Sequence, residues 1–238
     1  MVRGYAVNFN NRNSFDDMGL TLTSIDIGIP DKKKVMVSIP FSNENYDFSS
    51  VYGGQLYEQR TITCKFELES ATTSPRLSLM NLRTQVVNWL FGPIGLTRFE
   101  YEGLPNYYFL AEAQQNASFE TIWKNGVLEV PFKAYPFMIS KRAEGGDIWD
   151  DFNFELDAFQ DVAFEVNGSL DILLVNTGIS LARPEITSAS NMTLTMRNQQ
   201  FSIVPGSRVY DFFTLEKENE IHIEGNGRIS FKWYKELI

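Results

Sequence analysis

Carboxylates are the chemistry-bearing residues that crowd most closely in this chain. Between Arg142 and Arg183 there is no basic residue, while Asp147, Asp150, Asp151, Glu155, Asp157, Asp161, Glu165 and Asp171 accumulate. Two carboxylates can hydrolyse a glycoside, one as acid and the other as base or nucleophile, if a fold holds them at a set separation. Nothing in this spacing fixes such a pair. Trp149, Phe152, Phe154, Leu156 and Phe159 interleave with the acids. That pattern predicts an extended segment that packs its aromatics and turns its acids to solvent. Calcium is not favoured either, because no run has the spacing of an EF-hand loop or its turn glycine.

Other reactive types are scarce. The single histidine, His222, stands between Ile221 and Ile223 at an outward strand position, and one histidine supports neither a Ser-His-Asp triad nor a multi-histidine metal site. The single cysteine, Cys64, excludes a disulfide scaffold and falls on the apolar face of a strand, where a thiol is inert core. Gly53-Gly54 and Gly145-Gly146 lack the helix and lysine that would make a phosphate loop. Trp123, Trp233 and Tyr234 could stack on a sugar, although core or interface packing is the more ordinary use of such rings. No catalytic residue, cofactor or metal is therefore expected.

The elements that would position these residues are mostly strands. The 238 residues suit one large domain or two small ones, and 43% hydrophobic content suits a folded chain. Nineteen Phe, ten Tyr and four Trp make an aromatic share of 14%, which favours strands. A net charge of −9 argues against nucleic acid or an anionic membrane as partner. The opening Met1-Val2-Arg3-Gly4-Tyr5 leads into no apolar signal region, and no apolar run approaches the about 20 residues of a membrane helix. Synthesis and folding in a cytosol follow as the expectation, and the sequons at Asn116, Asn167 and Asn191 then read as chance.

Strand alternation is clearest from Arg60 to Leu68, with Ile62, Cys64, Phe66 and Leu68 on one face. Weaker alternation covers Ser24 to Pro30 and Lys33 to Pro40, and a turn or bulge is expected over Ser49 to Gly54. One helix is written plainly: Ser74 as cap, Pro75 at its first position, a stripe of Leu79, Leu82, Val86 and Leu90, and a stop at Gly92-Pro93. It is expected to cover a sheet face. Strands are then expected at Arg98 to Tyr101, Tyr107 to Ala113, Ala117 to Thr121 and Gly126 to Lys133.

The polar stretch Lys141 to Gly146 reads as a linker, which predicts domains at 1–140 and 141–238. The first holds 12 basic and 14 acidic groups, net −2; the second holds 9 and 16, net −7. The second domain shows short strands from Val162 to Tyr234, with turn signals at Asn167-Gly168, Asn176-Thr177-Gly178, Pro205-Gly206 and Gly225-Asn226-Gly227. These predict a β-sandwich closed by a last hairpin, in which Ile221 and Ile223 face Ile229, Phe231 and Trp233 across the Gly-Asn-Gly turn.

The order of parts resembles the distal tail protein (Dit) family of long-tailed, non-contractile bacteriophages and prophages. The carrying residues are Asn8-Phe9-Asn10, Ser14-Phe15-Asp16-Asp17, Gly53-Gly54 ahead of the Arg60 strand, and Asn88-Trp89-Leu90. In the second half they are Asn176-Thr177-Gly178, Pro184-Glu185-Ile186, Glu218-Asn219-Glu220-Ile221 and Ile229-Ser230-Phe231-Lys232-Trp233. The family's glycine before the final hairpin is replaced here by Lys217-Glu218-Asn219, which puts that turn's geometry in question.

The resemblance implies a mainly β fold: an N-terminal β-barrel or sheet domain with one α-helix, then a galectin-like β-sandwich. It implies a non-enzymatic hub of the virion tail tip, a homo-hexameric ring formed by the N-terminal domain. That ring would join the tail-tube protein and tape measure to the tail-tip protein, and would leave room for receptor-binding proteins outside it. A ring of six such chains would carry about −54, six times −9. Its contacts would be mainly apolar and heterologous, with the acidic sandwiches at the rim. Galectin-type sugar binding needs His, Asn, Arg and Trp clustered on one sheet, and the lone His222 argues against it. The alternatives are a carbohydrate-binding module for cell-wall attachment, using Trp233, and a hydrolase using Asp147 to Asp161.

Overall fold

The computed structural model describes residues 5–38, 40–41, 43–49, 54–68, 76–114, 127–145, 156 and 158–238. The chain is mainly β, with seventeen strands and one helix among the described residues. It divides into two compact units, one from Met1 to Met138 and the other from Ile139 to Leu237. In the first lie β1 (Val7–Phe9), β2 (Arg12–Asn13), β3 (Leu20–Ile27), β4 (Met36–Ser38), β5 (Asn45–Asp47) and β6 (Arg60–Leu68). They are followed by α1 (Arg76–Phe91), β7 (Thr97–Tyr101), β8 (Tyr107–Ala113) and β9 (Val127–Ala134). After β10 (Met138–Ser140) come β11 (Ala163–Val175), β12 (Glu185–Ser188), β13 (Met192–Met196), β14 (Gln199–Ile203), β15 (Gly206–Val209), β16 (Glu218–Lys232) and β17 (Glu236–Leu237).

The N-terminal unit is built on the strand path β2-β1-β7-β8-β9-β6-β3. On β6, Ile62, Cys64 and Phe66 are buried while Thr61, Lys65 and Glu67 are exposed, as strict period-2 alternation requires. Phe9 joins Phe99, Phe132 and Trp89 in one aromatic cluster, with Phe99 and Phe132 5.0 Å apart edge to face. The helix lays Val86, Trp89 and Leu90 into this core, and Leu82 is half-buried. Its covering role is as expected. Trp89 contributes more than bulk: its Nε1 donates to the Phe9 carbonyl at 2.7 Å, which ties the helix to β1. The expected cap at Ser74 and Pro75, the Leu79 side chain and the strand at 117–121 lie outside the described residues.

Sequence reasoning passed over a tight hairpin at the start of this unit. Asn10 and Asn11 both take positive φ, 48° and 57°, between β1 and β2. Asn tolerates that conformation because its short amide bonds locally, so the pair makes a two-residue turn that matches strand twist. Arg197 and Asn198 do the same between β13 and β14.

The C-terminal unit corrects one expectation outright. There is no final hairpin at Gly225-Asn226-Gly227, and Asn167-Gly168 is not a turn either. Both signals lie mid-strand and opposite one another: β11 and β16 pair antiparallel from Ala163↔Ser230 to Val175↔Glu218, with Asn167↔Asn226 and Gly168↔Gly225 in register. Ile221, Ile223, Ile229 and Phe231 therefore share one strand and one buried face instead of facing each other across a turn. Of these glycines, Gly225 serves a close approach. A Cβ on Gly225 would sit 2.8 Å from Met192 Cγ, at the start of the paired neighbour β13, and Gly225 holds φ of 145°. β16 pairs with β13 at Ile223 and with β12 at Phe231, so one long strand joins both to β11.

The polar stretch after β10 is not a free linker. The Ser140 amide donates to the Lys235 carbonyl at 3.0 Å and the Glu144 amide to that of Trp233 at 2.9 Å, which binds the segment to the stretch between β16 and β17. The turn in question at Lys217-Glu218-Asn219 is held by a buried side chain in place of glycine. Asn219 Oδ1 accepts from the Glu216 amide at 2.8 Å and from Arg197 at 2.6 Å, while Nδ2 donates to the carbonyls of Leu174 and Glu216. None of the residues from 216 to 219 takes a positive φ.

Candidate functional site

The residues singled out for chemistry do not converge. Cys64 is buried in the N-terminal core, where desolvation pushes its thiol well above the ordinary range. His222 is on the outward face of the other unit, with its Nδ1 2.5 Å from Asp171 directly across the ladder and its Nε2 3.6 Å from Glu224. The hydrogen bond to Asp171 raises its pKa; desolvation opposes this, and the charges of Asp171 and Glu224 add to the rise. Asp161 and Glu165 are exposed, and the acids from Asp147 to Asp157 lie outside the described residues, as does Trp123. Among the described residues no group of three metal-binding side chains forms.

The core reading of Trp233 holds, and the inward packing expected of Leu156 and Phe159 does not. Trp233 is only 2% exposed, packed with Phe231, Ile229 and Phe213 in the C-terminal core, and so cannot stack on a sugar. Leu156 and Phe159 are exposed and not packed inward. Tyr234 is partly exposed, with the Lys232 ammonium 5.8 Å from its ring centre.

What the structure does bring together is a surface that the sequence reading did not assemble. β4 and β5 form a separate two-stranded ribbon, with Val37↔Tyr46 and Met36↔Asp47 in register. The ribbon is continued by the Phe48 amide donating to the Val35 carbonyl at 2.8 Å and, at its foot, by the Lys33 amide donating to Leu56 and the Glu58 amide to Asp31. Lys34 closes on Asp47 at 2.8 Å, and this contact, with the Ser49 hydroxyl, holds the Asp47 carboxyl well below the usual carboxylate range. By register, Val35, Val37, Tyr46 and Phe48 share one face, with the Tyr46 and Phe48 rings 6.3 Å apart. All four are exposed, as are Met36 on the opposite face and Phe41 near the tip.

An isolated two-stranded ribbon is marginal in water, and a contiguous exposed apolar face marks a contact surface. Phe41 adds backbone strain, since it holds φ of 64° where residues other than glycine rarely sit. The signal was partly legible. The alternation of Val35 and Val37 signals a strand, but Tyr46-Asp47-Phe48 is too short a run to stand out. The expected turn over Ser49 to Gly54 lies largely outside the described residues, although Ser49 and Gly54 are described.

No protein-family model matches this sequence, and no curated protein matches it. Among solved structures the chain is similar to the SPP1 Dit (gp 19.1) protein, described as a paradigm of the hub adsorption apparatus in phages that infect Gram-positive bacteria. The TM-score is 0.65 at 8% sequence identity, over 98% of this chain and 99% of that one. The fold is Dit-like. At that identity the likeness is one of architecture. The likeness takes in both compact units. Among the described residues no helix is long and apolar enough to cross a membrane.

Proposed function

We propose that this chain is a distal tail protein of a long-tailed phage or prophage: a non-enzymatic hub at the virion tail tip. The observation that carries this reading is the end-to-end Dit-like fold, 98% of this chain on 99% of the SPP1 protein. In this reading six copies close a ring through their N-terminal units. The ring joins the tail-tube and tape-measure proteins to the tail-tip protein, and the acidic C-terminal units face outwards. The apolar face of Val35, Val37, Tyr46 and Phe48 serves as a contact between neighbouring copies, a heterologous contact of the kind that closes rings. The near-neutral charge of the first 140 residues, net −2, supports their packing on copies of themselves.

Light scattering on the purified protein at micromolar concentration tests the ring. The expected mass is about 164 kDa, six times 27.3 kDa. A strict monomer that also fails to bind neighbouring tail proteins overturns the proposal. The carbohydrate-module reading loses its main residue with Trp233 in the core.

A further inference from the structure

No further inference is drawn: the strongest candidate, the side-chain cluster of buried Glu144 and Lys235 with Thr177 beside them in the C-terminal unit, carries nothing, because the two opposite charges answer one another and no second feature of the cluster points to a ligand.

Discussion

His222 faces a carboxylate from each ring nitrogen, and only the imidazolium can donate to both. Its folded pKa is raised, so the stabilisation it brings is complete below the unfolded value of about 6.5 and is lost as pH rises through the folded value. Being the only histidine, its imidazole signals can be followed by NMR without assignment. The titration midpoint is expected above 6.5 and should fall in Asp171→Asn; a midpoint at or below 6.5 in the wild type contradicts the geometry. Glu144 and Lys235 pose the opposite problem, since both are buried, at 8% and 3% exposure. Burial pushes the Glu144 carboxyl up and the Lys235 amine down, each partly offset by the other's charge. Removing one charge leaves the other buried without the opposite charge that offsets it, whereas removing both can be nearly neutral. Urea denaturation should show Glu144→Gln or Lys235→Met each costing toward the lower end of ~3–5 kcal/mol. The double variant should recover most of that loss, and strictly additive costs would show that the two charges do not interact.

At the scale of elements, legibility followed the strength of local period. The Arg60–Leu68 strand could be read because its alternation is uninterrupted, and the end of α1 could be read because Gly92-Pro93 stops a helix anywhere. Gly168, Gly225 and Gly227 misled for a physical reason. A positive φ permits a turn, but it is also allowed inside a strand, and only the strands paired alongside distinguish the two. For Gly225 the telling neighbour is Met192, thirty-three residues away in sequence, whereas Gly168 has no such neighbour and is placed mid-strand by its pairing with Gly225 alone. Asn219 was legible as a motif residue, but its role in replacing a turn glycine was not, because its four bonds reach Leu174, Arg197 and Glu216 through the fold. The corrected pairing makes a prediction that a hairpin would not. Gly225→Ala meets Met192 Cγ at 2.8 Å as well as backbone strain, whereas Gly168→Ala meets nothing within 4 Å and pays only for its φ of 84°. Thermal denaturation should show Gly168→Ala costing about 1–2 kcal/mol from backbone strain. Overpacking should make Gly225→Ala worse by a further ~1–3 kcal/mol. Equal costs would mean that β13 does not press on β16 there.

For the whole molecule, the question is whether assembly and folding can be separated, and the two-unit organisation allows it. The aromatic residues divide into two populations. Phe9, Phe66, Phe99, Phe109 and Phe132 are buried in the N-terminal core, while Phe41, Tyr46 and Phe48 stand exposed on the ribbon. Composition alone could not separate them, because strand-core and interface aromatics look identical until pairing decides which face is covered. Substituting the ribbon should leave the core intact, since changes at exposed positions usually shift stability by no more than about 0.5 kcal/mol. Tyr46 and Val37 are direct cross-strand neighbours on its apolar face. The double variant Val37→Glu, Tyr46→Glu places two carboxylates in the centre of the proposed contact, where desolvating unpaired charge is costly. Light scattering should then give a mass near the 27.3 kDa of one chain, with a melting curve of the dissociated protein that still reports folded cores. A variant that still forms the six-chain species shows that the ring closes through another surface. A wild type that never exceeds one chain instead removes the ring itself, so the two failures are told apart by the same instrument.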